Sequence, residues 1–365
     1  MKILHVVGAR PNFMKIAPLL PVFSKYTGVS QTLVHTGQHY DDEMSKQFFL
    51  DLNIRHPDIF LNVGSGSHAE QTGKIMIAFE KVVRQEKPDW VIVVGDVNST
   101  LAAALVCAKE GVRLAHVEAG LRSFDRTMAE EINRIVTDRL SDALFTTSKE
   151  ANENLKREGI AEEKIFFVGN IMIDSLMRFR QKAEESRILK DLQLTPKKYA
   201  VMTLHRPTNV DEAIPLQNIT HALRELQQEI RIIFPVHPRC AKNLERLNLK
   251  GEFSKMENVT LVNPLGYLDF LKLFSESLFV MTDSGGIQEE TTFLGVPCLT
   301  LRENTERPVT VTQGTNAIVG NDPERILRMS RQILQGERKI GRVPDLWDGQ
   351  TAERIAAILM NGRIR

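Results

Sequence analysis

Residues able to do chemistry recur at one kind of place in this chain. A short apolar run ends, and the next residues are ionisable, polar or glycine. In order these are Arg10, Gln38-His39, Asp96, Glu118, His205-Arg206, His237, Ser284-Gly285-Gly286 and Arg302. One polar residue after an apolar run means little. A series of them at strand ends lines one sheet edge with acids, bases and cations, which a structural role explains poorly. Asp96 and Glu118 end adjacent strand–helix units, and paired carboxylates push their proton affinities apart, as general acid–base work on a sugar requires. Arg10 and Lys15 flank a helix start, where both can meet a phosphate. Plainer alternatives stand beside each: Lys15 as a solvated helix residue, Asp96 as a helix cap, and Glu130 with Arg134 as an i,i+4 surface ion pair. His205 and His237 have the alternative of structural histidines.

The richest stretch runs from Asp283 to Glu290, Asp-Ser-Gly-Gly-Ile-Gln-Glu-Glu, directly after the apolar run Leu278-Phe279-Val280-Met281. Strand, Gly-Gly turn and helix start make an anion site, because the first helical N–H groups have no internal partner and the dipole favours negative charge. Glu289 and Glu290 lie one turn inside, where a carboxylate can meet sugar hydroxyls. The plainer reading is an ordinary strand–helix turn with acidic residues complementing the dipole.

Stepping outward, apolar runs predict strands at Ile3 to Val7, Thr32 to Thr36, Trp90 to Val94, Arg113 to Val117, Ala143 to Thr147 and Ile165 to Val168. A second series follows at Tyr199 to Leu204, Ile232 to Val236, Val259 to Val262, Leu278 to Met281 and Pro297 to Leu301. Helical patterns alternate with them, including one continuous pattern from Met14 to Phe23, a long polar helix from Ser175 to Leu192 and a closing helix from about Thr351 to Asn361. Continuous apolar strands alternating with helices mean α/β domains with parallel sheets covered on both faces. The expectation is two doubly wound, Rossmann-like domains, 1–169 and 170–350, facing a central cleft at the carboxyl ends of their strands.

A length of 365 residues suits two domains, and 42% hydrophobic with 25% charged residues is ordinary globular composition. The formal net charge of +1 argues against a nucleic-acid surface, so any anion must be held locally. No run approaches the roughly 18 apolar residues of a membrane span, and the N-terminus does not read as a signal peptide. Cytoplasm is the expected compartment. Cys107, Cys240 and Cys298 lack CxxC spacing and read as buried small apolar residues. Dinucleotide, Walker A, HExxH and Gly-x-Ser-x-Gly signatures are missing, which argues against a standard dehydrogenase, NTPase, zincin or α/β-hydrolase.

Taken in order, the motifs resemble the non-hydrolysing UDP-N-acetylglucosamine 2-epimerases. They are Gly8-Ala9-Arg10-Pro11 with Lys15, Gln38-His39, Gly95-Asp96, His116 through Arg122, Glu130 through Arg134, Gly169-Asn170, His205-Arg206, Pro235-Val236-His237, Asp283 through Glu290, Thr305 through Pro308, and Asp348-Gly349. The resemblance implies a GT-B-like architecture, no cofactor and no metal, a homodimer, and a place in polysaccharide biosynthesis. It implies that the helix at about 351–365 packs back on the N-terminal domain, which carries most catalytic residues, while the C-terminal domain binds UDP. The implied activity interconverts UDP-N-acetylglucosamine and UDP-N-acetylmannosamine, by elimination of UDP to 2-acetamidoglucal and re-addition. Lys15, Asp96, Glu118, Glu130, Arg134 and His205 match the family's catalytic set. Arg10, His237, Phe270, Ser284, Gly285, Gly286, Glu290 and Arg307 match its substrate contacts. Three departures bear on detail. Residues 40–43 replace the sequence that forms a second, activating UDP-sugar site in many bacterial members. The loop from Arg122 to Glu130 is short, and Ala129 stands where proline is common. Gly-Ala-Arg-Pro and His-Thr-Gly-Gln-His also occur in relatives acting on UDP-2,3-diacetamido-uronic acids, the alternative substrate class; a GT-B-type glycosyltransferase is the other alternative.

Overall fold

The computed structural model describes residues 1–38 and 54–362. His39 and residues 40–43, on which the reading of a second UDP-sugar site depends, lie outside the described residues.

The chain forms two parallel sheets. The first contains β1 (Lys2–Val7), β2 (Ser30–His35), β3 (Ile59–Phe60), β4 (Trp90–Val94), β5 (Arg113–Ala119), β6 (Ala143–Thr146) and β7 (Ile165–Phe167), in the order β3-β2-β1-β4-β5-β6-β7. The second contains β8 (Tyr199–Thr203), β9 (Arg231–Pro235), β10 (Val259–Val262), β11 (Phe279–Thr282), β12 (Cys298–Thr300) and β13 (Asn316–Ile318), in the order β10-β9-β8-β11-β12-β13. Both are all-parallel, so helices must cover both faces and the strands read as unbroken apolar runs. In the first sheet Val6 lies opposite Val34 and Val93, and Phe79, Val91, Leu114 and Cys107 fill one side of the layer. In the second, Met202, Phe234, Met281 and Leu299 pack with Leu223 and Ile326. Each fully buried side chain of this size contributes about 1.5–3 kcal/mol.

Each sheet reverses its strand order once, between β1 and β4 and between β8 and β11. Ligands of doubly wound sheets bind outside the carboxyl ends of the strands at such a switch point. There, neighbouring strands send their following helices to opposite faces and leave a crevice.

The pattern from Met14 to Phe23 is two helices, Arg10–Ile16 and Leu19–Phe23, because Pro18 has no N–H to continue the first. The long polar helix also divides, into Ile171–Glu184 and Ile188–Asp191. The three cysteines are buried and unbridged, and burial pushes their thiols up to about 12.

The chain divides into two compact units, one of Met1–Arg178 with Asp345 onward and one of Phe179–Pro344. The first crossing therefore falls inside the helix Ile171–Glu184, beyond Gly169-Asn170. Its first turn is bound to the first unit: the Asp174 carboxylate accepts the Thr351 and Ala352 N–H groups at 3.2 and 2.8 Å, and Ser175 Oγ donates to Met14 O. Trp347 Nε1 donates to Thr147 O at 2.9 Å and brings the returning chain, with the helix Thr351–Met360, onto the same unit. No helix among the described residues is long and apolar enough to cross a membrane.

Candidate active site

At the switch point of the first sheet, β5 does not run straight into its turn. Glu118 adopts φ 74°, left-handed backbone that a non-glycine residue rarely takes, and pairing with β6 slips between Val117 and Ala119. A bulge of this kind re-aims a side chain, at a cost of about 1–3 kcal/mol that the surrounding fold must outweigh. The Glu118 carboxylate forms a buried ion pair with Lys15 Nζ, from the last turn of Arg10–Ile16. Lys15 is only 6% exposed, so it is no solvated surface lysine. Gly95, at φ 67°, completes this corner: a Cβ there would stand 2.8 Å from Lys15 Nζ and 3.4 Å from Glu118 Oε2.

The Gly95-Asp96 turn is tied from two sides. Asn12 Oδ1 accepts the Gly8 and Ala9 N–H groups at 3.0 Å, while its Nδ2 donates to Val94 O at 3.0 Å. His116 Nε2 lies 2.8 Å from Gly95 O, and its Nδ1 lies 2.6 Å from Asp138 Oδ1. Asp138 also accepts Gly120 N–H at 3.1 Å and meets Arg122 at 2.7 Å. Burial pushes the Asp138 carboxyl up, but His116 and Arg122 outweigh it and hold the carboxyl below its ordinary value.

Asp96 caps no helix: the next helix, Asn98–Glu110, has Val97 at its N-cap. Instead Asp96 Oδ2 meets Arg134 Nη1 at 2.5 Å, and Asn133 Nδ2 donates to Asp96 O at 2.8 Å. Arg134 is 2% exposed and pairs with buried Glu131, so it is not half of a surface pair. Glu130 stands half-buried in the first turn of the helix Ala129–Leu140. The first unit thus brings Lys15 to Glu118, and Asp96 to Arg134. Arg10 opens the helix that carries Lys15.

In the second unit the switch point holds His205 and Asp283. The fully buried Asp283 carboxylate accepts the N–H groups of His205 and Arg206, at 3.0 and 2.9 Å, and lies 2.7 Å from His205 Nδ1. Burial pushes the Asp283 carboxyl up, yet these donors hold it below its ordinary value. The His205 side chain is 40% exposed, unlike a core histidine, and its Nδ1 faces a carboxylate that fixes the ring. His237 caps the helix Pro238–Arg246, accepting Arg239 N–H at 3.2 Å, and its ring centre is 6.2 Å from that of His205.

The helix Gly285–Leu294 begins after Ser284 with no side-chain cap, and Gly286 follows in its first turn. Arg307 is packed against that start. A Cβ on Gly285 would lie 2.3 Å from Arg307 Nη1, so only glycine admits the guanidinium there. Arg307 meets Glu289 at 2.9 Å and Glu306 at 2.7 Å, and Glu306 also meets Arg302 at 2.8 Å and Arg206 at 3.3 Å. Three guanidinium groups gather with two carboxylates beside a helix N-terminus. That is an arrangement for an anion.

Glu290 is buried one turn further on and accepts Tyr267 O–H at 2.7 Å. Phe270, on the helix Tyr267–Ser275, is half-buried against Phe274, ring centres 5.2 Å apart. Burial, with Glu289 adding, pushes the Glu290 carboxyl up to about 7, although Tyr267 works the other way. A raised carboxyl means the folded state keeps a proton that the unfolded chain has lost. Stability must therefore fall as pH rises from the ordinary value of 4.5 to about 7. Glu290→Gln removes this cost. Thermal midpoints of variant and wild type should diverge, with the variant higher, between about pH 5 and about pH 8. Parallel curves would show that Glu290 is not the group responsible.

Among the described residues no group of three or more His, Cys, Asp or Glu side chains is placed to hold a metal ion. Sequence reasoning overlooked Glu131, Asp138 and Glu306. Glu131 had a signal, its i,i+3 spacing to Arg134, which the neighbouring i,i+4 pair obscured.

A statistical model of the family described as UDP-N-acetylglucosamine 2-epimerase matches residues 23–360. The chain belongs to this family. The UDP-N-acetylglucosamine 2-epimerase of Methanocaldococcus jannaschii is 43% identical over 368 residues, covering 100% of both chains. Its crystal structure in complex with UDP-GlcNAc and UDP matches this epimerase fold with a TM-score of 0.93, over 99% of this chain and 100% of that one. The UDP-2,3-diacetamido-2,3-dideoxy-D-glucuronate 2-epimerase of Pseudomonas aeruginosa is 41% identical over 363 residues, 98% of this chain and 99% of its own. Sucrose-phosphate synthase of Thermosynechococcus elongatus, at 13% identity, shares the fold with a TM-score of 0.62 over 99% of this chain and 97% of its own. The architecture is accordingly that of GT-B enzymes.

Proposed function

We propose that this chain interconverts UDP-N-acetylglucosamine and UDP-N-acetylmannosamine by inverting C2. The observation that carries the reading is the pair of charge contacts, Lys15 with Glu118, buried, and Asp96 with Arg134, partly exposed at Asp96, at the switch point of the first sheet. The C2 proton is weakly acidic, so its removal needs a positioned base, and its return to the opposite face needs a second group. Asp96, Glu118 and Glu130 supply these groups, with Lys15 and Arg134 holding two of the three in place. As the C2 proton passes to the base, the C1–O bond breaks and its electron pair leaves with UDP, which gains one negative charge over the substrate, giving 2-acetamidoglucal. Re-addition of UDP at C1 and of a proton to the opposite face of C2 completes the inversion. Charge on the leaving diphosphate must be met by fixed donors. We assign that task to Arg307, Arg10 and the N–H groups at Ser284, Gly285 and Gly286. Glu290 takes the ribose, Phe270 and His237 line the nucleotide, and His205, oriented by Asp283, serves the departing oxygen. The unit of Met1–Arg178 with Asp345 onward then carries most of the acid–base work, and that of Phe179–Pro344 most of the UDP contacts. The remaining proposals are a homodimer in the cytoplasm, feeding polysaccharide synthesis.

A second reading, favoured by the 41% identity to the Pseudomonas enzyme, is the same inversion on a UDP-2,3-diacetamido-uronic acid. Side-by-side incubation with each UDP-sugar, followed by proton NMR, separates the two. A mixture of UDP-N-acetylglucosamine and its manno epimer, without steady release of free UDP, supports the first. Conversion of the uronic acid alone selects the second, and conversion of neither overturns both.

A further inference from the structure

Arg134 serves two carboxylates. Its Nη1 lies 2.5 Å from Asp96 Oδ2, while Nε and Nη2 lie 3.0 and 2.5 Å from Glu131 Oε2. The two acids differ in access: the Asp96 side chain is 25% exposed and that of Glu131 only 1%. Asp96 can meet a substrate; Glu131 is sealed behind the guanidinium. Glu131 is also a committed anion. It accepts Ser123 N–H and O–H, both at 3.0 Å, and Phe124 N–H at 2.9 Å. Burial pushes its carboxyl up, but these donors and Arg134 outweigh burial and hold it below the ordinary value.

We propose that Glu131 is a positioning residue that sets the proton affinity of Asp96, by fixing the Arg134 guanidinium and drawing off part of its charge. This rests on the reading of Asp96 as a proton-transfer group. A carboxylate facing an undivided cation gives up its proton more readily than one that shares the cation with a second anion. Among the described residues, the charged and titratable groups of this corner include Glu130 and Arg134 on the helix Ala129–Leu140, Lys15 and Glu118 beside Gly95, His116 at the Gly95 carbonyl, and His68, 3.2 Å from Asn98. Neutralising Glu131 leaves these in place and removes one of the two carboxylates that share the Arg134 charge.

Glu131→Gln removes the charge and keeps one acceptor oxygen, which can take the place of Oε2 toward the Ser123 N–H and Arg134, while the bond that Oε1 accepts from the Phe124 N–H is given up. In enzyme labelled with carbon-13 at aspartate carboxyls, with the Asp96 signal assigned from Asp96→Asn, its titration midpoint should fall by about one pH unit. The limb of the pH–rate profile governed by Asp96 should move to lower pH by the same amount, whether Asp96 acts as base or acid. A merely structural Glu131 would lower the rate at every pH and leave the limb where it was. Ser123→Ala tests the same link should Glu131→Gln fail to fold: it frees Glu131 to draw more fully on Arg134, so the Asp96 midpoint should rise. An unmoved Asp96 midpoint in the folded Gln variant, or in the Ala variant where that one does not fold, overturns the proposal. Should Asp96→Asn keep full activity, the proton-transfer reading fails, while the NMR midpoints still judge Glu131.

Discussion

Glu118→Gln is expected to abolish chemistry at C2 while UDP still binds. The substitution keeps size and one acceptor oxygen and removes one negative charge, so its effects can be separated. Loss of a positioned acid or base lowers the rate by about 10²–10⁴-fold. Loss of the charge also leaves Lys15 Nζ buried without the carboxylate it pairs with. Breaking a buried pair from one side costs about 3–5 kcal/mol, and the amide oxygen, which still accepts a hydrogen bond, should keep the loss near the lower end. Glu118 sits at φ 74°, and the glutamine inherits this strain unchanged, so the fall in rate reports charge rather than relaxed backbone. Because the UDP contacts assigned here lie on other elements, calorimetric UDP affinity should stay within about threefold of wild type, a difference of less than 1 kcal/mol. An active Glu118→Gln enzyme would remove Glu118 from the acid–base set.

Arg307→Ala should have the largest effect on the nucleotide. Arg307 lies against the start of the helix Gly285–Leu294 and bridges Glu289 and Glu306. Its removal takes one of the three guanidinium groups from the anion site. Losing a buried, charge-assisted contact of this kind costs about 2–5 kcal/mol of binding, well over tenfold in UDP affinity. The same change deprives Glu289 of the cation 2.9 Å away, so stability should fall by about 3–5 kcal/mol even without ligand. Thermal unfolding with and without UDP reads both: a lower midpoint alone, and a much smaller rise on adding UDP. Arg307→Lys should not restore binding, because an ammonium cannot span two carboxylates as a planar guanidinium does. A wild-type response to UDP in Arg307→Ala would refute the assignment.

Strand positions were readable because a strand buried on both faces is an unbroken apolar run, as in Trp90-Val91-Ile92-Val93-Val94. β3 escaped because it has only two residues, and β13 because it opens on a polar asparagine and lacks the unbroken apolar run that marks the equally short Ile165–Phe167. Strand-end chemistry was readable for the same reason the strands were: Asp96, Glu118, His205 and Asp283 follow such runs directly. What could not be read was how charges are shared. Glu130 and Glu131 are adjacent, yet helical rotation turns Glu131 inward to Arg134 and the Ser123 turn. Glu306 sits in a polar stretch with no spacing that marks its partners, but collects Arg206, Arg302 and Arg307. The left-handed backbone at Glu118 has no signature in residue type, since side-chain identity does not announce a bulge. Nor did spacing reveal that Asp138, on the helix Ala129–Leu140, pairs with His116 to steady the Gly95 carbonyl.

The most direct measurement is wash-in of solvent hydrogen at C2. The enzyme is incubated with UDP-N-acetylglucosamine in deuterium oxide, and the C2 proton signal of both epimers is followed by NMR. Elimination and re-addition across C1 and C2 require deuterium at C2 of the UDP-N-acetylmannosamine formed, and of recovered substrate as the reaction reverses. Epimer formed with its C2 proton retained would contradict inversion by proton removal, and no exchange and no epimer would contradict the proposed substrate.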